Sequence, residues 1–264
     1  MASEDSTTLR RAIDILDALG AAAVAGQPEL GVGQVARLVG REKSQVSRSL
    51  KTLASSGLVE RNPDTLGYRL GWKLFALAET AGDRRLRTLA HPVLRSLVAR
   101  TGERAHLNVL QGDHVLTVLS EQSSAVIQVT DWIGLSSPVH STSSGRALLM
   151  QHGDDEVRTL LEGVWFAASG PNGPPDLEEL LARLHNARSR GYVVSDEEFE
   201  TGLVAAAAPV RDGNRRVVGA LNVSAPKFRL GPRLDTAGRQ VKAAADHLSH
   251  LMSHPQPPGS VPPP

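Results

Sequence analysis

Residues 43–51 read Lys-Ser-Gln-Val-Ser-Arg-Ser-Leu-Lys. Val46, Leu50 and Leu53 recur at i, i+4 and i+7, which predicts a helix with one apolar face. Lys43, Ser44, Gln45, Ser47, Arg48 and Lys51 all fall off that face, and no acid stands among them. Such a surface suits the major groove of a DNA duplex. Gln and Arg can read base edges there, while Ser and Lys hold phosphates. Charge points the same way. From Arg37 to Lys73 there are eight bases and three acids, a local +5 in a chain of net charge +1, so the remainder carries −4. Counterion release at one basic surface can drive duplex binding although the whole chain is nearly neutral. A solvated basic helix would carry the same charge, so the neighbouring elements must decide between the two readings.

Those elements are regular. Leu9, Ile13 and Leu16 predict a first helix with one buried stripe, and residues 20–30 read as a small-residue linker. Val35, Leu38 and Val39 give a short second helix, broken at Gly40. The third helix runs over 43–55 and ends at Gly57. Two short strands follow, residues 58–61 and 67–70, around a turn at Asn62-Pro63-Asp64. Helix, helix, tight turn, helix, hairpin is the order of a winged helix-turn-helix. Arg61, Tyr68 and Arg69 of the hairpin then join the third helix as expected duplex contacts. Gly31-Val-Gly33-Gln-Val-Ala36 mimics a dinucleotide fingerprint, but Gly26-Gln27-Pro28-Glu29 stands where that motif needs a buried strand.

Composition narrows the classes further. The 264 residues contain no Cys, which excludes disulfides, Cys-held zinc, iron–sulfur clusters and a Cys nucleophile. Aromatic residues make up 3%, too few for a base-stacking platform. No apolar run is long enough to span a bilayer, and the polar, acidic start is unlike a signal peptide. A cytoplasmic protein without a membrane partner is expected.

Beyond the hairpin, Trp72, Phe75 and Ala76 mark a helical connector, followed by a helix over 84–100 that Pro92 either kinks or restarts. The connector's apolar surface could form a dimer seam or pack on its own domain. Strand signals then appear at 105–110, 115–119, 126–129, 193–194, 204–210 and 217–223. Helices are expected at 145–151, 154–161, 177–190 and 232–252. This is an α+β domain, an antiparallel sheet with helices on its faces. Gly170-Pro-Asn-Gly-Pro-Pro175 is a loop, and the Pro-rich tail 254–264 has nothing apolar to pack.

Several blocks together resemble the IclR family of transcriptional regulators. They are Lys43-Ser-Gln-Val-Ser-Arg-Ser-Leu-Lys-Thr-Leu53 with Gly57-Leu-Val-Glu60; Val139-His-Ser-Thr-Ser-Ser-Gly-Arg-Ala-Leu-Leu149; Gly191-Tyr-Val-Val-Ser-Asp-Glu-Glu198; Ala207-Ala-Pro-Val-Arg211; and Ala220-Leu-Asn-Val-Ser-Ala-Pro226. The resemblance spans residues 7–253. It implies a winged helix-turn-helix DNA-binding domain at 7–70, a linker helix at 71–86 and a GAF-like effector-binding domain at 87–253. It also implies homodimers or homotetramers, a near-palindromic double-stranded operator, and control by a small organic acid or aromatic compound. Repression is the expected sign of regulation. Neither a cofactor nor a metal is called for.

The effector site can be argued twice. Ser141-Thr-Ser-Ser144 precedes a helix, so its hydroxyls and the free N–H groups could bind an anion, or one hydroxyl could merely cap the helix. The resemblance places Ser143, Ser144, Ser195 or Asp196, Leu203, Ala205, Asn222 and Ser224 in the pocket. Three positions depart from the family pattern: Asn222 replaces a frequent Ser, Arg146 a usual Lys, and Ala205 a Cys of some relatives. Arg146 is expected to face solvent, or to fork onto a ligand carboxylate if it faces the pocket.

An enzyme is the main alternative class, with a sensor that has lost DNA recognition as a third. His106, His114 and His140 could converge on a metal, but no H-E-x-x-H or G-x-S-x-G motif exists. Asp196, Glu197 and Glu198 are adjacent, and adjacent carboxylates diverge rather than face one another. No catalytic residue is assigned.

Overall fold

The computed structural model describes residues 4–122, 133–166 and 170–254. The chain divides into two compact units, residues 1–84 and 85–264.

The first unit comprises α1 (Glu4–Val24), α2 (Val32–Leu38), α3 (Lys43–Ser55), a hairpin of β1 (Val59–Arg61) and β2 (Tyr68–Leu70), and α4 (Trp72–Thr80). Its core gathers Ile15, Leu19, Leu30, Val35, Val46, Leu50, Leu53, Val59 and Tyr68. Two expected faces were turned. In α1, Leu9 is 65% exposed and Ile13 is exposed too, while Ile15 and Leu19 are buried. The helix carries two overlapping apolar stripes, and the core takes the one through Ala12, Ile15, Leu19 and Ala22. In α2, Val35 and Ala36 are buried and Leu38 is exposed; Leu38 lies about 200° around the helix from Ala36. Nor is 20–30 all linker. The helix passes through Gly20 to Val24 because a formed helix extends readily over Ala21-Ala-Ala23.

Tyr68 exchanges backbone hydrogen bonds with Leu30, which ties the hairpin to the chain before α2. At Gly71 a Cβ would stand 2.2 Å from the Gly57 carbonyl oxygen, so only glycine lets β2 pass the α3–β1 turn into α4.

The second unit opens with α5 (Arg84–Thr101), which runs unbroken through Pro92. Then come β3 (Arg104–Gln111), β4 (His114–Glu121), β5 (Ser136–Pro138), α6 (Ser143–Leu149), α7 (Asp154–Leu160), α8 (Leu177–Arg190), β6 (Val193–Asp196), β7 (Leu203–Arg211), β8 (Val217–Pro226), α9 (Lys227–Leu230) and α10 (Leu234–Ser253). A tight 3-10 turn over Gly231–Arg233 delays the start of the last helix past Pro232. The expected strand at 126–129 and the tail beyond His254 lie outside the described residues.

The strands form one antiparallel sheet in the order β5-β4-β3-β8-β7-β6. Alternation along the strands sorts side chains to two faces. Ala105, Leu107, Val204, Ala206, Ala208, Leu221, Val223 and Ala225 pack with Leu94 and Leu97 of α5 and Val241 and Leu248 of α10. Ala207 and Ala220 face the other way, onto Leu148 and Leu149 of α6 and Leu180 and Leu184 of α8. The intervening positions on that second face are polar, and they build the cavity below.

Candidate functional site

The first candidate surface is α3. Its apolar residues Val46, Leu50 and Leu53 are buried in the first unit's core. Lys43, Ser44, Arg48 and Lys51 are exposed, and Gln45 and Ser47 are half-buried. A turn through Gly40, at φ +61°, brings α2 into α3. Among the described residues no ion pair occupies Lys43, Arg48 or Lys51, so three cations stand on an open helix face. That is the arrangement a recognition helix needs.

The hairpin is held differently from expectation. Tyr68 is only 3% exposed and belongs to the core, so its ring is not offered to a duplex. Strand alternation that turns Arg69 outward turns Tyr68 inward. Arg61 is exposed, with its guanidinium 5.6 Å from the Tyr68 ring centre. Arg69 donates to Glu60 through Nε at 3.1 Å and a terminal nitrogen at 3.0 Å, and Glu29 lies 4.0 Å away. Part of the hairpin's charge is therefore already balanced. Glu29 also accepts from Thr65 at 2.6 Å and from Asn62 at 2.9 Å. These hydrogen bonds, Thr65 first and Asn62 next, hold its carboxyl below the usual range.

The second candidate is a cavity between the sheet and α6. Ser143, Ser144, Ser195, Leu203, Ala205, Asn222 and Ser224 all line it. They arrive from α6, β6, β7 and β8, far apart in sequence. Register explains the convergence, since Ala205 pairs with Ser224 and Ala207 with Asn222 across β7 and β8. Asn222 donates to Ser143 Oγ at 3.2 Å, which links the sheet to α6. Asp196 does not line the cavity. Its carboxylate turns outward to Lys227 Nζ at 2.8 Å, as alternation with Ser195 on β6 requires.

Of the other seven lining residues, His106 was weighed only as a metal ligand and Thr142 only within the Ser141-Thr-Ser-Ser144 run, while Asn108, Val115, Thr117, Ser137 and Phe199 were not singled out. His106 and Asn108 alternate with Ala105 and Leu107 in a strand central to the sheet, a polar face that period two could have flagged. Thr117 donates to Asn108 Oδ1 at 2.9 Å, and Ser224 Oγ lies 3.3 Å from His106 Nε2. Phe199 sits in the β6–β7 loop, where no periodicity operates. Thr142 caps α6 by accepting from Gly145 N–H at 3.1 Å. Capping therefore accounts for one hydroxyl of the Ser141-Thr-Ser-Ser144 run. Gly145 is obligatory, because a Cβ there would lie 2.1 Å from the Val139 carbonyl oxygen.

Arg146 is neither at the surface nor in the cavity. It is 3% exposed. One terminal nitrogen lies 2.8 Å from both oxygens of Glu198 and donates to the Val194 carbonyl at 2.9 Å. Arg183 approaches the same carboxylate at 3.1 Å. Burial pushes the Arg146 guanidinium down and the Glu198 charge opposes it. The pair fixes α6 to the β6–β7 loop, the two segments that supply Ser143 and Phe199. Lys227 at the start of α9 ties the same loop from outside, reaching Glu197 at 2.6 Å.

The three histidines weighed as metal ligands hold separate contacts. His106 faces Ser224, His114 Nδ1 lies 2.8 Å from Asp113, and His140 stacks on Phe166 with ring centres 4.7 Å apart. Burial, then neighbouring His114, pushes the His140 imidazole down, with Asp113 opposing. Among the described residues no group of three or more His, Asp or Glu side chains gathers as metal ligands would. No described helix is long and apolar enough to cross a membrane.

Comparison with known proteins fits this geometry. Residues 8–63 match the model of the IclR helix-turn-helix domain, and residues 78–250 match that of the bacterial transcriptional regulator IclR C-terminal domain. The HTH-type transcriptional regulator XynR of Escherichia coli is 31% identical over 94% of this chain and 98% of its own. The transcriptional repressor IclR of Escherichia coli is 30% identical over 82% of this chain and 80% of its own. Among solved structures, an IclR transcriptional regulator from Alicyclobacillus acidocaldarius superposes with a TM-score of 0.78 at 25% identity, over 94% of this chain and 99% of that one.

Proposed function

Because this chain belongs to the IclR family of bacterial transcriptional regulators, we propose that residues 43–51 read a near-palindromic operator and that the cavity beside α6 holds the molecule controlling it. The protein is a DNA-binding regulator under effector control, not an enzyme. Residues 7–70 act as the reader, 71–86 as the connector and 87–253 as the effector receptor. Lys43, Ser44, Gln45, Ser47, Arg48 and Lys51 face the duplex, with Arg61 and, after release from Glu60, Arg69 beside them. Ser143, Ser144, Ser195, Leu203, Ala205, Asn222 and Ser224 hold the effector.

A homodimer supplies two readers for two half-sites. Exposed Trp72, Phe75 and Leu77 on α4 favour the connector as part of its seam, and pairs of dimers give the tetramer. The protein acts in the cytoplasm as a repressor. Effector and operator must each favour a different arrangement of the readers, since coupling can only equal a difference in affinity between two states.

The single observation carrying the reading is the open cationic face of α3, free of ion pairs among the described residues. Fluorescence anisotropy on the DNA upstream of the protein's own gene tests it, titrated at several salt concentrations. Arg48→Ala should weaken binding and flatten the plot of log affinity against log salt by about 0.9 for one lost phosphate contact. An unchanged slope and affinity would remove Arg48 from the interface.

A further inference from the structure

The hairpin's two cations, Arg61 and Arg69, flank a loop that must be held in place if both are to meet a duplex. Two strands of three residues each cannot hold it alone. Inside the loop, Asn62 N–H donates to the Gly67 carbonyl at 2.8 Å and Leu66 N–H to the Asn62 carbonyl at 3.0 Å. Asn62 Oδ1 accepts from Asp64 N–H at 2.9 Å. Leu66 sits at φ +57°, a left-handed conformation uncommon for a leucine. These bonds fix the loop's shape and leave its placement open.

Placement comes from Glu29, 33 residues before Asn62. Its two carboxylate oxygens accept from Asn62 Nδ2 at 2.9 and 3.1 Å, and one of them also accepts from Thr65 Oγ1 at 2.6 Å. The Asn62 amide cannot turn over to suit another partner, because its oxygen is committed to Asp64 N–H. Thr65 Oγ1 accepts from Gly67 N–H at 3.2 Å, so its own proton is left for Glu29. Both side chains therefore reach Glu29 as donors, and a carboxylate, which only accepts, satisfies them together. The approach is close: a Cβ at Gly67 would stand 3.1 Å from Glu29 Cβ and from Oε2. Beside it, Leu30 exchanges backbone hydrogen bonds with Tyr68 at 3.0 and 2.8 Å, and α2 begins at Val32.

We infer that Glu29 is a positioning residue for operator binding: it fastens the hairpin loop to the segment leading into α2, and so sets Arg61 and Arg69 relative to the recognition helix. This rests on the reading that the hairpin reaches the duplex. The inference runs against simple charge. An acid near the duplex repels phosphates, and Glu29 also draws on Arg69 from 4.0 Å. By charge alone, neutralising it tightens binding. If it positions the hairpin, neutralising it loosens binding. The two roles thus differ in the sign of one measurement.

Anisotropy titrations of the full-length protein on the DNA upstream of its own gene test this, with circular dichroism verifying the fold. Glu29→Gln keeps the side chain's size and sets an NH2 group against donors. Affinity should fall about fivefold, and the plot of log affinity against log salt should flatten by about 0.9, one phosphate contact. Thr65→Val removes one donor without changing charge; it should act in the same direction and stands in for a Glu29→Gln protein that does not fold. In the Glu29→Gln background Arg61→Ala should cost less than in the parent, whereas Arg48→Ala on α3 should cost the same. A folded Glu29→Gln protein, or in its place Thr65→Val, that binds as tightly as the parent while Arg61→Ala or Arg69→Ala weakens the parent overturns the inference and leaves the hairpin at the duplex. Parent affinity unmoved by Arg61→Ala and Arg69→Ala alike overturns the hairpin reading and the inference with it. An equal fall in the costs of Arg48→Ala and Arg61→Ala overturns positioning in favour of a change to the whole unit.

Discussion

Glu198→Gln is the most informative single change in the second unit. It keeps the side chain's size and removes its charge, leaving Arg146 as a cation that is 3% exposed with only neutral acceptors, the Val194 carbonyl and the new amide oxygen, and no counter-ion at the 2.8 Å position. Breaking a buried pair from one side destabilises by about 3–5 kcal/mol. For a unit of this size, about 2–4 °C is lost per kcal/mol, so the midpoint should fall by roughly 6–20 °C. Arg183→Ala removes the more exposed partner, whose side chain keeps 26% of its exposure, and should cost about 1 kcal/mol or less. Replacing both buried partners together, Arg146→Met with Glu198→Leu, should recover most of the loss, because it strands no charge. Calorimetry of the four proteins decides the matter. A Glu198→Gln midpoint within about 2 °C of the parent's would refute the claim that Arg146 depends on this carboxylate.

Three further outcomes are expected. Gly145→Ala should abolish the folded second unit or lower its midpoint steeply, since the new Cβ meets Val139 backbone at 2.1 Å, whereas Gly33→Ala, with no atom within 4 Å, should be neutral or slightly stabilising; thermal melts compare the two. Tyr68→Phe should leave operator affinity within about twofold by anisotropy, because the ring is in the core and a lost duplex hydrogen bond would exceed that. Glu29 has a carboxyl held below its ordinary value of 4.5 in the folded state, so its stabilising contribution is complete above that value and disappears as pH falls through the lower folded one. Urea melts of the parent and Glu29→Gln should therefore differ most above the ordinary carboxyl value of 4.5, and the gap should shrink steadily as the pH is lowered further; a gap that stays constant on acidification would contradict this.

The recognition helix was legible because its three apolar residues fit one stripe and nothing competed with it. The same reasoning misplaced α1, where Leu9-Ile13-Leu16 and Ala12-Ile15-Leu19 are equally regular and only the neighbouring helices choose between them. Leu38 outranks Ala36 in hydrophobicity, yet close packing in a seven-residue helix selected the smaller residue. In the cavity, the residues carried over from the family resemblance came together except Asp196. Asn108 was missed, and His106 was weighed only as a metal ligand, because alternation was read as evidence for a strand and not followed to the face it creates. Arg146 was misassigned because its partner, Glu198, lies 52 residues away, a distance no local pattern spans.

The alternation of β3, β7 and β8 sends odd and even neighbours to opposite duties. Leu221, Val223 and Ala225 serve the oily layer under α10, while Asn222 and Ser224 between them serve the cavity. Drift in what the receptor senses can therefore proceed by exchanging every other residue without disturbing the scaffold behind. An insertion of one residue within β8 would be far more damaging than several substitutions, because it would trade the two duties at once.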